Sequence, residues 1–110
     1  MEAGVDRTLA ALADPTRRGV VYLLLQQPRR ASEIADALAA TRPAMSRHLR
    51  VLRRAGVVEE ESLPDDARAR VYRLRRQPFA ELRDWLDEVE GFWNEQLQAF
   101  KAYAEGKGRR

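Results

Sequence analysis

From Thr41 to Gly56 the chain reads TRPAMSRHLRVLRRAG, with five arginines and no acid. At about 100° per residue, Met45, Leu49 and Leu52 fall on one side of a helix, and Arg47, Arg50 and Arg54 share the opposite arc with Pro43. Ser46 and Arg53 border that arc, and Arg42 sits at the amino end. Thr41 is a good N-cap, Pro43 is tolerated where first-turn amides lack acceptors, and Gly56 is a natural left-handed stop. A helix over 42–55 built this way must bury one side and hold three guanidinium groups on the other. His48 lies on the shoulder of the buried side and is expected to hydrogen-bond backbone or phosphate, with a pH switch as the secondary reading. Val51 points away from the core side and has no evident partner.

The flanking sequence frames that helix. Val5, Leu9 and Leu12 predict a short amphipathic helix over 5–13. Asp14-Pro15 then opens a second helix running to Gln26, so apolar through Val20–Leu25 that it is expected to be buried on all sides. Gln27-Pro28 ends it. Ser32 is expected to cap a third helix with Glu33 in its first turn, and the small Ala39 and Ala40 make a tight connection onward. Residues 57–62 and 69–74 are strand-like and flank LPDDAR, a hairpin with a six-residue loop. After Gln77-Pro78 a long helix is expected over 79–104. Its apolar residues, from Phe79 through Trp85, Val89, Phe92, Trp93 and Leu97 to Phe100, keep to one broad face. Residues 105–110 read as a disordered basic tail.

The chain has 110 residues, so 1–104 is read as a single domain, with the paired helices at 32–55 and the hairpin at 57–74. A core this small leaves much surface exposed, and pairing with a second copy would help. With no cysteine and one histidine, thiol chemistry is excluded and a histidine-rich metal or catalytic cluster cannot form within one chain. No cofactor or metal site is expected. Asp65 with Asp66, and Asp87 with Glu88, pair carboxylates at a loop tip and on a solvated helix face. Neither place offers the desolvation acid catalysis needs, so an enzyme is not expected. The longest apolar run, Gly19–Leu25, is too short to cross a bilayer, where roughly 18 residues are needed. MEAGVDRT lacks the basic-then-apolar pattern of an export signal, so the expected location is cytoplasmic.

Charge is concentrated. Residues 40–76 hold ten arginines against five acids, whereas 1–39 are balanced and 77–110 carry five bases against seven acids. The basic middle third would attract a polyanion in a salt-dependent way. Arginine outnumbers lysine 18 to 2, but the same excess runs through the rest of the chain, so a compositional bias of the genome accounts for it equally well.

A short helix, a tight turn, a second helix with arginines outward and a following hairpin form the pattern that enters the DNA major groove. On this reading the outward arginines neutralise phosphate or read guanine, and Ser46 is small enough to permit close approach. The hairpin would be a wing touching flanking DNA through Arg68 and Arg70, or simply a flap covering the core through Val57, Tyr72 and Leu74. Glu59, Glu60 and Glu61 would turn their strand away from phosphate. Two alternatives stay open: solubilising arginines on an ordinary bundle helix, and a module that binds an acidic protein instead of DNA.

The run ASEIADALAATRPAMSRHLRVLRRAGVVEEE, followed by VYRL, resembles the ArsR-type winged helix-turn-helix repressors over nearly the whole chain. The resemblance implies a mainly α fold with a small β-hairpin wing, and a homodimer that sits in successive major grooves and is released by an inducer. It implies that Arg42, Ser46, Arg47 and His48 approach DNA, with Arg68 and Arg70 at the wing. It also implies a dimer interface built by the first and last helices, here through Leu9, Leu12, Trp85, Val89, Phe92, Trp93, Leu97 and Phe100. Metal-sensing members carry paired cysteines where this chain has Arg30 and Ser32, and others use histidine on the last helix, which has none here. The sequence is therefore similar to the metal-independent branch. In it, Trp85, Phe92 and Trp93 either pack only as core and interface or line a pocket for a small apolar inducer.

Overall fold

The computed structural model describes residues 3–108, arranged as α1 (Ala3–Ala11), α2 (Pro15–Gln26), α3 (Ala31–Ala37), α4 (Arg42–Arg54), β1 (Val58–Leu63), β2 (Asp66–Leu74) and α5 (Arg76–Gly108). The helix starts follow their caps. The Asp14 carboxylate accepts the amides of Thr16 at 2.8 Å and Arg17 at 3.1 Å, and Pro15 opens α2. Those amides, Arg17's above all, with the charges of His48 and Arg17, hold the Asp14 carboxyl below the ordinary carboxylate range despite a counteracting loss of hydration. Thr41 Oγ1 accepts the Ala44 amide at 3.3 Å and so opens α4.

The opening of α3 differs from expectation. Its N-cap is Arg30, not Ser32, and Glu33 Oε1 reaches back to accept the Arg30 amide at 3.1 Å. Ser32 sits inside the first turn. The helix ends at Ala37, and Ala39 takes a left-handed φ of 52°, which reverses the chain within four residues. A small side chain bears that conformation at a cost of roughly 1–2 kcal/mol. Gly56, at φ 77°, closes α4, and the Val57 amide donates back to the Leu52 carbonyl at 3.0 Å.

One core forms where α2, α3, α4 and the start of β1 meet. Val20, Leu24, Ile34, Ala35, Met45, Leu49, Leu52, Val57 and Val58 are buried there, with Leu38, Tyr72, Leu74 and Phe79 packed around them. Gly19 permits the close approach of α2 to α3, because a Cβ there would meet the Leu38 side chain at 3.1 Å. Only one side of α2 is buried. Tyr22 and Leu25 are about two-thirds exposed, contrary to the expectation of burial all round.

The antiparallel hairpin pairs Val58 with Leu74, Glu60 with Tyr72 and Ser62 with Arg70. Its turn is tighter than the six-residue loop expected. Leu63 pairs with Asp66, so residues 67–69 form a bulge on β2, where the Asp66 carboxylate accepts the Arg68 amide at 3.0 Å. Arg29 and Tyr72 exchange both backbone hydrogen bonds, at 2.8 and 3.1 Å, which fastens the hairpin to the segment leading into α3.

Helix α5 begins at Arg76 rather than residue 79, with Pro78 in its first turn, and continues through Gly108, past the expected end at 104. The last residues of the expected tail, 109 and 110, lie outside the described residues. The amino-terminal part of α5 packs on α1. The remainder, of a helix about 50 Å long, extends from the body and makes the molecule 75 × 26 × 24 Å. Phe92, Trp93, Leu97 and Phe100 stand exposed along it. Within one chain these four are therefore not core residues.

Candidate nucleic-acid interface

Helix α4 is two-sided as its spacing requires. Met45, Leu49 and Leu52 are at most 2% exposed, while Arg42, Ser46, Arg47, Arg50, Arg53 and Arg54 are all exposed. The burial of three large apolar side chains fixes the rotation of the helix and hence the direction of the arginines. Fully burying such side chains stabilises by about 1.5–3 kcal/mol each before ordering entropy is counted, far more than any exposed charge pair could oppose.

The arginines divide into two groups. Glu60 lies between Arg53, at 2.7 Å, and Arg70, at 3.2 Å; Glu61 holds Arg73 at 2.9 Å, and Glu59 lies 4.0 Å from Arg75. The three consecutive glutamates of β1 thus engage Arg70 and Arg73 of β2, Arg75 just beyond it and Arg53 in the last turn of α4. By contrast, Arg42, Arg47, Arg50 and Arg54 make no ion pair or side-chain hydrogen bond among the described residues. These four, with Ser46, form an uncompensated cationic face on a rigid helix.

The wing residues separate as well. Arg68 lies in the exposed bulge at the hairpin tip. Arg70 lies in the ladder opposite Ser62 with its guanidinium on Glu60, so it is not a tip residue. Sequence spacing missed this because the bulge, not a long loop, absorbs the intervening residues. Tyr72 packs against the core below, and its phenol is pushed up by burial and by the neighbouring Glu60 charge.

His48 is half-buried and its Nδ1 lies 3.4 Å from Arg17 Nη1. Within this chain its side-chain partner is therefore a guanidinium, not a backbone group. Arg17 itself is anchored by Nε on the Ala11 carbonyl at 2.6 Å and by Nη2 on Ala10 at 3.3 Å. It ties the end of α1 to the start of α2 and to α4. Nothing in the local sequence of α1 signals this contact, since its donor lies six residues downstream.

Of the residues expected at an interface between copies, Leu12 and Trp85 are half-buried, whereas Leu9, Val89, Phe92, Trp93, Leu97 and Phe100 are exposed. Among the described residues no group of three or more His, Cys, Asp or Glu could hold a metal ion, and no helix is long and apolar enough to cross a membrane.

Residues 14–60, from the α2 cap to β1, match the model of the bacterial regulatory protein family named arsR. Over 103 residues the chain is 39% identical to the HTH-type transcriptional regulator Rv2034 of Mycobacterium tuberculosis, covering 94% of this chain and 91% of that one. An ArsR-like transcriptional regulator from Rhodococcus sp. RHA1 superposes with a TM-score of 0.82 at 28% identity, over 94% of this chain and 93% of its own. The homodimeric winged helix-turn-helix DNA-binding domain of Mb0332 from Mycobacterium bovis superposes with a TM-score of 0.60 at 26% identity, over 86% and 82% of the two chains.

Proposed function

The chain belongs to the arsR family of bacterial regulatory proteins, and we propose that it is a homodimeric transcriptional repressor whose α4 enters the major groove of operator DNA. The observation that carries this reading is the uncompensated face of α4. Arg42, Arg47, Arg50 and Arg54 are exposed and have no partner among the described residues, while every other arginine between residues 53 and 75 except Arg68 is engaged by β1 glutamates. Cations left free on a rigid helix keep their full attraction for phosphate, and arginine can fork onto the O6 and N7 of guanine.

Each remaining residue has a part in this arrangement. Ser46 lets the amino end of α4 lie close to base edges, and Arg42 and Arg50 meet backbone phosphates on either side. Arg68, at the wing tip, meets the flanking backbone, and Arg70 contributes only if its hold on Glu60 loosens. His48 acts through Arg17, setting the angle of α4 against α2. A second copy, joined through α1 and the exposed stripe of α5, places two such helices about 34 Å apart, one turn of DNA. Bound there, the dimer occludes the promoter, and the work is done in the cytoplasm, where the bacterial chromosome lies.

Fluorescence anisotropy on the gene's own promoter, at two salt concentrations, tests this. Arg47→Ala lowers affinity by about 1–3 kcal/mol and relaxes sequence preference. Arg50→Ala weakens all sequences alike and flattens the salt slope by about one. Thermal unfolding of both variants stays near wild type, since neither side chain is packed. No binding by the wild type at low salt would leave the acidic protein partner as the better reading.

A further inference from the structure

Val51 has no role in the core and none in the cationic face, yet it is an apolar side chain 40% exposed on α4. The structure places it on the floor of a groove of about 460 Å³ between α1 and α4, lined by Ala10, Ala11, Val51 and Ala55 and rimmed by Arg7, Arg17 and Arg54. We propose that this groove binds an organic carboxylate with an apolar body, and that its occupation weakens DNA binding. The regulatory half of the proposal rests on the reading of α4 given above; the binding half does not.

Charge and polarity select the ligand class. All four floor residues are apolar and none of the seven lining residues is acidic. Arg17 is fixed to the α1 carbonyls, but Arg7 and Arg54 have no hydrogen bond or ion pair among the described residues. Two unengaged guanidinium groups above an apolar floor complement an anion carried on an apolar body, and a forked carboxylate contact suits either arginine. The volume falls in the range of small-ligand sites, about 300–1,000 Å³. An inorganic anion would leave the floor wet, and an uncharged apolar molecule would leave the rim unanswered.

The position of Arg54 supplies the coupling. It lies on the groove rim and also on the arc proposed to meet DNA. A carboxylate held by Arg54 removes one cation per subunit from the DNA face. Because the coupling is reciprocal, bound DNA must weaken the ligand by the same factor.

Titration calorimetry of the full chain with decanoate and with naphthoate tests the binding, with decanol and butyrate as the uncharged and the bodiless controls. Saturable binding of at least one of the two carboxylates at one site per chain is expected, with neither control binding. Arg7→Gln and Val51→Ser should each weaken that carboxylate by about tenfold or more while leaving DNA affinity without ligand unchanged. Adding the carboxylate should lower DNA affinity by roughly fivefold or more, as couplings of this kind do. Absence of saturable binding by both carboxylates, equal binding of decanol, or wild-type binding by both variants would overturn the site. Loss of DNA affinity or of dimer in Arg7→Gln and Val51→Ser without ligand would show that DNA or a second copy occupies the groove instead. Binding without any change in DNA affinity would overturn the regulatory half alone, and a chain that ignores DNA altogether would still report on the groove through calorimetry.

Discussion

Asp14 illustrates how a single residue sets both local structure and its response to pH. Its carboxylate caps α2 by accepting two amides, and those bonds exist in the folded state only. The folded pKa is lowered, so the capping contribution is complete above the unfolded value and is lost as pH falls through the folded one. Asp14→Ala should therefore lower Tm near neutral pH, and the gap from wild type should close in strongly acid solution, as thermal melts across pH would record. The cap and its proline were legible in the sequence because both signals are local. Ser32 was misleading for the same reason: a cap-type residue sat two positions inside the true start, and the Glu33 carboxylate satisfied Arg30 instead. The engagement of His48 by Arg17 could not be read at all, since it joins residues 31 apart in the chain.

Among the elements, α2 and α4 lie where the sequence places them because prolines, caps and Gly56 bracket them. Helix α1 ends at Ala11, two residues earlier than its apolar spacing suggests, and Arg17 caps the carbonyls of Ala10 and Ala11 there. Helix α5 starts earlier than Pro78 suggests, since a proline in the first turn removes no hydrogen bond. Periodicity had no power to say which side of α2 would be buried, because apolar residues surround it. On the hairpin, Glu60 holds Arg53 and Arg70 together; Glu60 itself is only 17% exposed, but both guanidinium groups are more than half exposed, so solvent screens the pairs and they add little stability. Glu60→Gln should change unfolding free energy by less than about 1 kcal/mol. It should also release two cations, raising affinity for DNA of any sequence and steepening the salt dependence, measurable by anisotropy on a random duplex.

The whole molecule is incomplete as one chain. A radius of gyration of 20.3 Å, against about 13 Å for a compact chain of this length, reflects the protruding part of α5. Leu86, Val89, Trp93, Leu97 and Phe100 recur at intervals of three and four along it and are each 49–70% exposed. Such a stripe is the surface a second copy would cover. Trp93→Asp should shift the protein from dimer to monomer in sedimentation equilibrium at micromolar concentration. Operator affinity should fall with it, because the second half-site contact is no longer intramolecular. A wild type that sediments as a monomer would remove the two-groove geometry. The stripe itself was plain in the sequence; that its own chain leaves it uncovered was not, because spacing defines a face without naming what meets it.

Methylation protection of guanine N7 on the protein's own promoter is the most direct test, since that atom is reachable only from the major groove. The arrangement described here predicts two patches of protected guanines about one helical turn apart, both lost in Arg47→Ala. Guanines that remain fully reactive while the promoter is bound would contradict it.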